Sequence, residues 1–204
     1  MDVSAFYAQS VFVQTSNADI KSAFWFFDSA SVQTSNAALS TGIWALGLRD
    51  GAEISFSVRN SNGPVTAALF LGSGDSRATL NASIHTSNGN LSVVSPHLGF
   101  ERDKAILFLD ASTSNAPAFL ELPVEYEGSF DLETTSGSAL VDYNPDDRNS
   151  KGEKRVFDMY KAHQKSHKAG SVYWGDKPPQ EDQGDIRLRS TKENVIIKAS
   201  KLGY

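Results

Sequence analysis

Hydrophobic and polar residues alternate along most of this chain with the two-residue period of β-strands. In the stretch 53–59, Ile, Phe and Val occupy every second position, and Glu, Ser and Arg fill the positions between them. The same alternation recurs at 80–84 and 186–189. Side chains two residues apart lie on one face of a strand. No stretch of the first 140 residues keeps a helical period, so the pattern predicts an all-β protein.

A short polar turn interrupts this alternation again and again. The turns are Thr15-Ser16-Asn17-Ala18, Thr34-Ser35-Asn36-Ala37, Asn60-Ser61-Asn62-Gly63, Thr86-Ser87-Asn88-Gly89, Thr113-Ser114-Asn115-Ala116, and the degenerate Thr134-Thr135-Ser136-Gly137 and Ser190-Thr191-Lys192-Glu193. Their third residues follow one another after 19, 26, 26, 27, 21 and 56 positions. Asn and Gly tolerate the left-handed backbone, so each copy is a point where the chain changes direction.

Two architectures fit this repeat. In a β-solenoid each unit is one coil, and the Asn side chains hydrogen-bond along the stack as a ladder. In an antiparallel β-sandwich or barrel each Asn turn closes a hairpin instead. A stack favours the same residue at every equivalent turn, whereas hairpins do not require it. We therefore expect residues 1–204 to form a single β-solenoid domain of about seven or eight coils, with the sandwich as the alternative.

The region of about 142–184 departs from the repeat and is predicted to be an irregular, polar and basic insertion. Residues 148–170 carry seven Lys or Arg against two acidic residues. Two strand-like stretches, 155–160 and 170–175, face each other across an expected loop at 163–168. The basic loop at 148–170 has the charge to meet an anionic glycan or lipid surface, although such insertions commonly serve solubility alone.

Composition narrows the functional classes. The net charge of −5 and the pI of about 5.3 argue against nucleic-acid binding. The absence of cysteine excludes disulfides, thiol catalysis and Cys-based zinc sites. The longest aromatic and apolar run, Ala23 to Phe27, is too short to span a membrane. Met1 to Ser10 has neither a basic nor an apolar leader segment, so no signal peptide is expected there, and the localisation stays open.

Acidic residues cluster between β-like stretches near the middle of the chain. The cluster comprises Glu121, Glu125, Glu127, Asp131 and Glu133. Enzymes that cleave polysaccharides need two carboxyl groups converging on one bond. The first three of these glutamates would share the polar face of one strand, which is also the pattern of an ordinary solvated face. Catalysis by a carbohydrate-active β-helix enzyme is therefore an alternative, and no catalytic residue is assigned.

Two patterns resemble metal sites. The spacing of a calcium loop is found in Asp142, Asn144, Asp146 and Glu153. Asp147 stands where such a loop needs Gly, and Pro145 stiffens it, so an ordinary turn is the better interpretation. His163 and His167 have helical zinc spacing, but the lysines around them favour a solvated loop. The sequence predicts no metal and no cofactor.

Aromatic residues are the candidates for ligand binding. Residues 24–27 place rings on both faces of a strand, and Trp25, Trp44 and Trp174 are the side chains we assign to ligand contacts. Exposed rings stack on sugars or anchor protein contacts. An alternative role, which we favour for Trp25, is to cover the open end of the solenoid, whose terminal coil is an unpaired edge.

The turns and several other segments resemble a family of basidiomycete fungal proteins of unknown function. The matching segments are Thr113-Ser114-Asn115-Ala116-Pro117, Asn60-Ser61-Asn62-Gly63-Pro64, Phe130-Asp131-Leu132, Asp142-Tyr143-Asn144-Pro145 and Val172-Tyr173-Trp174-Gly175. More distantly, residues 87–91 resemble the turns of adhesin-type β-helix repeat domains. The resemblance implies a β-solenoid and a secreted or cell-surface location. It supplies no known activity, ligand or catalytic residue.

The leading hypothesis is a non-catalytic surface, adhesion-like or recognition module that binds a glycan or another protein. Ser, Thr and Asn supply 27, 10 and 11 residues, many of which a solenoid presents outward as hydrogen-bonding groups. A third hypothesis is a self-associating structural protein that forms a homo-oligomer through the solenoid ends.

Overall fold

The computed structural model describes residues 2–47, 51–73, 77–98, 105–149, 151–161 and 163–199. This part of the chain contains fifteen β-strands and one short 3-10 helix, Gln180–Asp182. The strands are β1 (Asp2–Gln14), β2 (Ile20–Thr34), β3 (Leu39–Gly47), β4 (Ala52–Asn60), β5 (Val65–Ser73), β6 (Ala78–Thr86), β7 (Leu91–Leu98), β8 (Ala105–Thr113), β9 (Ala118–Leu122), β10 (Gly128–Thr134), β11 (Ala139–Asp142), β12 (Arg155–Met159), β13 (His167–Trp174), β14 (Gly184–Ser190) and β15 (Val195–Ala199). The all-β prediction is confirmed.

Each coil places one strand before the polar turn and one after it. The front face is formed by the second halves of β1 and β2, then β4, β6, β8, β14 and β10. The back face is formed by the first halves of β1 and β2, then β3, β5, β7, β9, β15 and β11. All these pairs are parallel, and the long strands β1 and β2 run through both faces. This is the predicted β-solenoid, and the hairpins of the sandwich alternative are not found at the polar turns.

The coils do not stack in chain order at the C-terminal end. The last coil, β14 with β15, lies between β8 with β9 and β10 with β11. The chain thus leaves a gap of one coil between β8 with β9 and β10 with β11, and its last two strands fill this gap. The intervening segment forms an antiparallel hairpin, β12 with β13, that pairs with the outer edge of β10. The 56-residue gap between the last two turns is the consequence of this hairpin and of the return of the chain.

The interior is filled by the apolar residues of every alternating strand. On the front face, Val32, Val58, Ile84 and Ala111 follow one another in register, and all are buried. On the back face, Ile20, Leu39, Val65 and Leu91 do the same. Burial of these columns along the whole stack supplies the main stabilisation of the fold.

The Asn residues of the turns form the expected ladder. The side-chain amide nitrogens of Asn36, Asn62, Asn88 and Asn115 each donate to the amide oxygen of the Asn one coil back, at 2.8, 2.7, 2.7 and 2.5 Å. Beyond Asn115 the turns stack through backbone hydrogen bonds and through side chain-to-backbone bonds, such as that from Ser190 to the carbonyl of Ala116. The threonines of the turns face inward: Thr86 and Thr113 are buried and donate to the carbonyl oxygens of Gly63 and Gly89.

Candidate functional site

The outer surface of the front face is a grid of in-register side chains. Its first column holds Ser10, Ser29, Ser55, Asn81, Phe108, Asp185 and Ser129. The adjacent column holds Phe12, Ser31, Ser57, Ser83, Asp110, Arg187 and Asp131. Short serine side chains over the first coils leave a shallow depression, because larger residues stand at both ends of it.

Three adjoining cavities that share lining residues follow one another along this depression, which we call the front groove. The first, of about 470 Å³, lies over the serines between Phe12 and Asn81. The second, of about 300 Å³, shares Asn81 with the first and reaches Phe108 and Arg187. The third, of about 700 Å³, shares Phe108 and Arg187 with the second and reaches Tyr160. Seven strand spacings of about 4.8 Å separate β1 from β13, so the groove is about 34 Å long.

Three exposed aromatic rings lie along the front groove. Phe12, Phe108 and Tyr160 are 67%, 40% and 68% exposed. Phe12 and Phe108 are four strands apart, which is a separation of about 19 Å. An aromatic ring exposed in a concave surface is available to stack on a ligand. The groove therefore combines aromatic faces with hydroxyl and amide groups.

The charges that line the groove balance one another. Arg187 Nε lies 3.2 Å from Asp185 Oδ2, and Ser129 donates a hydrogen bond to the other oxygen of Asp185 at 2.5 Å. The two cavities that share Phe108 have two further charged lining residues, Lys177 and Asp110. Two cations and two anions give no net charge to the lining, and the cavity next to Phe12 has no charged residue. The surface suits a polar, uncharged ligand.

Trp25 and Trp44 lie on the back face, away from the front groove. With Tyr7 and Phe70 they form a column of stacked rings, with centroids 5.3, 5.0 and 4.8 Å apart in the order Tyr7, Trp25, Trp44, Phe70. Each tryptophan ring is covered on both faces by its neighbours, so only its edges reach solvent. Gly42 makes room for Trp44, since a Cβ there would lie 2.6 Å from the indole ring.

Trp174 joins the C-terminal hairpin to the loop between β9 and β10. Its indole N–H donates to the carbonyl of Val124, and its backbone N–H donates to Glu127 Oε1, both at 2.9 Å. The buried guanidinium of Arg155 lies 5.3 Å from the Trp174 ring centroid and donates to the carbonyl of Pro123. Burial lowers the pKa of Arg155 to about 10, against the opposing effect of Asp147, Glu125 and Glu127. These contacts place Trp174 in the attachment of the hairpin.

The acidic cluster is distributed over both faces of the solenoid. Glu121 lies in β9 of the back face, whereas Asp131 and Glu133 lie in β10 of the front face. Glu127 accepts the hydrogen bond from Trp174, and Asp131 accepts one from His167 at 2.7 Å. The acids that line the front groove are instead Asp110 and Asp185.

The calcium-like segment makes hydrogen bonds typical of a turn. Asn144 accepts from the backbone N–H of Asp146 and donates to Asp147 Oδ1, while Glu153 accepts from Asn149 at 2.5 Å. Among the described residues, no group of three or more His, Asp or Glu side chains is placed to hold a metal ion.

The expected loop at 163–168 is shorter than predicted, because β13 begins at His167. His163 is exposed in the loop, whereas His167 lies in the strand and is hydrogen-bonded to Asp131. The prediction of a loop was wrong for its last two residues. Pairing of β13 with β10 extends to Glu133 opposite His167, and this ladder keeps the end of the segment extended.

Sequence reasoning missed all three aromatic residues of the front groove. Phe12 stands between Val11 and Val13, and Phe108 between Leu107 and Leu109. Such uninterrupted apolar runs do not distinguish the outward position from the inward ones. The register with Ser31 and Asn81 on the neighbouring strands is the signal that identifies Phe12 and Phe108 as outward.

Comparisons with known proteins found no matching protein family, no similar curated protein and no similar solved structure. Within the described part of the chain, no helix is long and apolar enough to cross a membrane.

Proposed function

We propose that this protein is a non-catalytic recognition module that binds an uncharged glycan chain along the front groove. The observation that carries the proposal is the row of three adjoining cavities with Phe12, Phe108 and Tyr160 exposed along it. A groove that runs across eight strands fits a linear polymer better than a compact small molecule.

The lining offers both kinds of contact that a sugar chain needs. The C–H face of a sugar ring stacks on an aromatic face, and its hydroxyl groups pair with serine, amide and charged side chains. Ser31, Ser57 and Asn81 supply short hydrogen-bonding groups, and Asp185 with Arg187 supplies stronger ones. The balanced charge of the lining favours an uncharged glycan over an acidic one, because an acidic chain would meet Asp110 and Asp185 without a net attraction.

The rigidity of the solenoid supports recognition over catalysis. The groove side chains project from strands that are paired along their length, so little conformational entropy is lost on binding. The two carboxyl groups of the groove lining, Asp110 and Asp185, are each close to an arginine of β14.

The test is retention on a panel of immobilised neutral and acidic polysaccharides, with released sugar measured in the same samples. We expect retention on a neutral polysaccharide and no release. Phe108→Ala and Phe12→Ala should each weaken retention about tenfold or more, since removal of a stacking ring removes its whole contact area.

Tyr7→Ala is the matched control for Phe12→Ala. Both side chains belong to β1 and are about two-thirds exposed, but Tyr7 is on the back face. The control should bind like the unmodified protein. Equal loss in the two variants, retention on acidic polymers alone, or release of sugar would each contradict the proposal.

A further inference from the structure

Strand β1 is an open edge at one end of the solenoid. It pairs with β2 on one side, and no other described strand pairs with it. Its thirteen residues present a row of backbone N–H and C=O groups over a length of about 44 Å. An edge of this kind is a template for another strand.

The two ends of the molecule differ in how they are protected. At the far end the outermost strands are β11, which has four residues, and β12, which has five. β12 is flanked or occupied by Lys154, Arg155, Asp158 and Lys161. Short edge strands with charged residues resist pairing with other chains. By contrast, no charged residue occurs from position 3 to position 18, although 21% of the whole chain is charged.

The chemistry of β1 favours a second copy of this chain as its partner. A twofold dimer places each strand antiparallel to its own copy, so residue i of one copy faces residue j of the other and every edge charge would occur twice, with the same sign, at the joint. An edge without charges meets no such repulsion. Tyr7 and Phe12, exposed on the back-face and front-face halves of this strand, would lie beside the joint, one on each face.

We infer that two copies of this protein pair antiparallel through β1 and form a symmetric dimer whose sheets continue from one molecule into the other. The closed twofold arrangement leaves both β12 ends outward, so the assembly stops at two. This inference does not depend on glycan binding by the front groove.

Sedimentation velocity across a concentration series, without glycan, tests the dimer. We expect reversible conversion between a species of 22.1 kDa and one of twice that mass. Ser10→Lys with Gln14→Lys places two like charges on each edge and should raise the dimer dissociation constant about tenfold or more.

The matched control carries the same two charges one strand further in. Ser29 and Gln33 are the register partners of Ser10 and Gln14, so Ser29→Lys with Gln33→Lys adds identical charge to the same face away from the edge. This variant should dimerise like the unmodified protein, and circular dichroism should show that both variants are folded. A monomer at every concentration, equal weakening in both variants, or growth beyond a dimer would overturn the inference.

Discussion

At the residue scale, the asparagine ladder explains why one residue type recurs at the turns. An amide side chain both donates and accepts, so each inner Asn can bond to the turn above and the turn below. Asn62 donates to Asn36 and accepts from Asn88, both at 2.7 Å, whereas Asn17 at the end of the ladder only accepts from Asn36. A residue within the ladder thus makes twice as many of these bonds as the terminal one.

Asn62→Ala should therefore destabilise the protein more than Asn17→Ala. A net contribution of about 1 kcal/mol for each hydrogen bond gives a loss of about 2 kcal/mol for the first and about 1 kcal/mol for the second. Urea unfolding measures both values. Equal losses in the two variants would show that the side-chain ladder adds little to turns already joined by the backbone.

Tyr126 should make the stability depend on pH in the alkaline range. Its buried hydroxyl donates to the carbonyl of Ser129 at 2.6 Å, and burial, with a smaller effect of Asp185, raises its pKa well above the ordinary value. The unfolded chain releases this proton near pH 10 while the native state keeps it. The native state then binds more protons, so stability falls as the pH rises above about 10.

Comparison with Tyr126→Phe isolates this effect. Near pH 8 the unmodified protein should be more stable by about 1 kcal/mol because of the hydrogen bond. That advantage should shrink or reverse by pH 11, since the difference can change by up to about 1.4 kcal/mol for each pH unit. Urea unfolding at the two pH values measures it. A constant difference would mean that the Tyr126 pKa is not raised.

At the element scale, the inserted C-terminal coil holds the two ends of the fold together. β14 lies between β8 and β10, with Ile186 and Leu188 buried. Among the described strands, the hairpin of β12 and β13 pairs with β10 alone. β10 in turn pairs with β14, so the sheet reaches the hairpin through β14.

Leu188→Asp should detach this end of the molecule. A carboxylate buried without a partner costs several kcal/mol, and hydrogen exchange should show lost protection in 128–174 but retained protection in 20–98. Arg189→Asp, one residue further along, is the control because Arg189 is outward and makes only a 3.8 Å ion pair with Asp110. Uniform loss of protection along the whole chain would instead indicate that the solenoid unfolds as one unit.

The sequence was enough to predict the strands and turns of each coil, but not the order in which the coils stack. Alternation and the repeated turn are local properties, and they predicted the strands, the ladder and the solenoid. The position of β14 depends on which of several similar edges it pairs with, and Ile186 and Leu188 would fit beside many of them. The candidate site was missed for a related reason: whether Phe12 and Phe108 are outward depends on register, which an apolar run does not reveal.

At the scale of the whole molecule, the two faces of the solenoid have separate properties. The back face stacks its aromatic residues on one another, so Trp25 and Trp44 stiffen the column and offer only their edges. The front face spaces its aromatic residues apart, and Phe12 and Phe108 keep their rings exposed. A ligand that uses more than one of these rings must be long and extended.

The proposed function therefore predicts that affinity rises with the length of the glycan. Phe108 borders two of the three cavities, whereas Phe12 lies at one end of the groove, about four strands or 19 Å away. Short oligosaccharides should bind around Phe108, and affinity should increase until the chain also reaches Phe12, because the second contact then forms without a second loss of translational freedom.

Calorimetric titration with a series of neutral oligosaccharides of increasing length measures this dependence. Phe108→Ala should weaken binding at every length, whereas Phe12→Ala should weaken only the long members of the series. If Phe12→Ala weakened the shortest oligosaccharide as much as the longest, or if length had no effect on affinity, the ligand would not lie along the groove. Binding of short and long chains alike would then indicate a single local site at one ring.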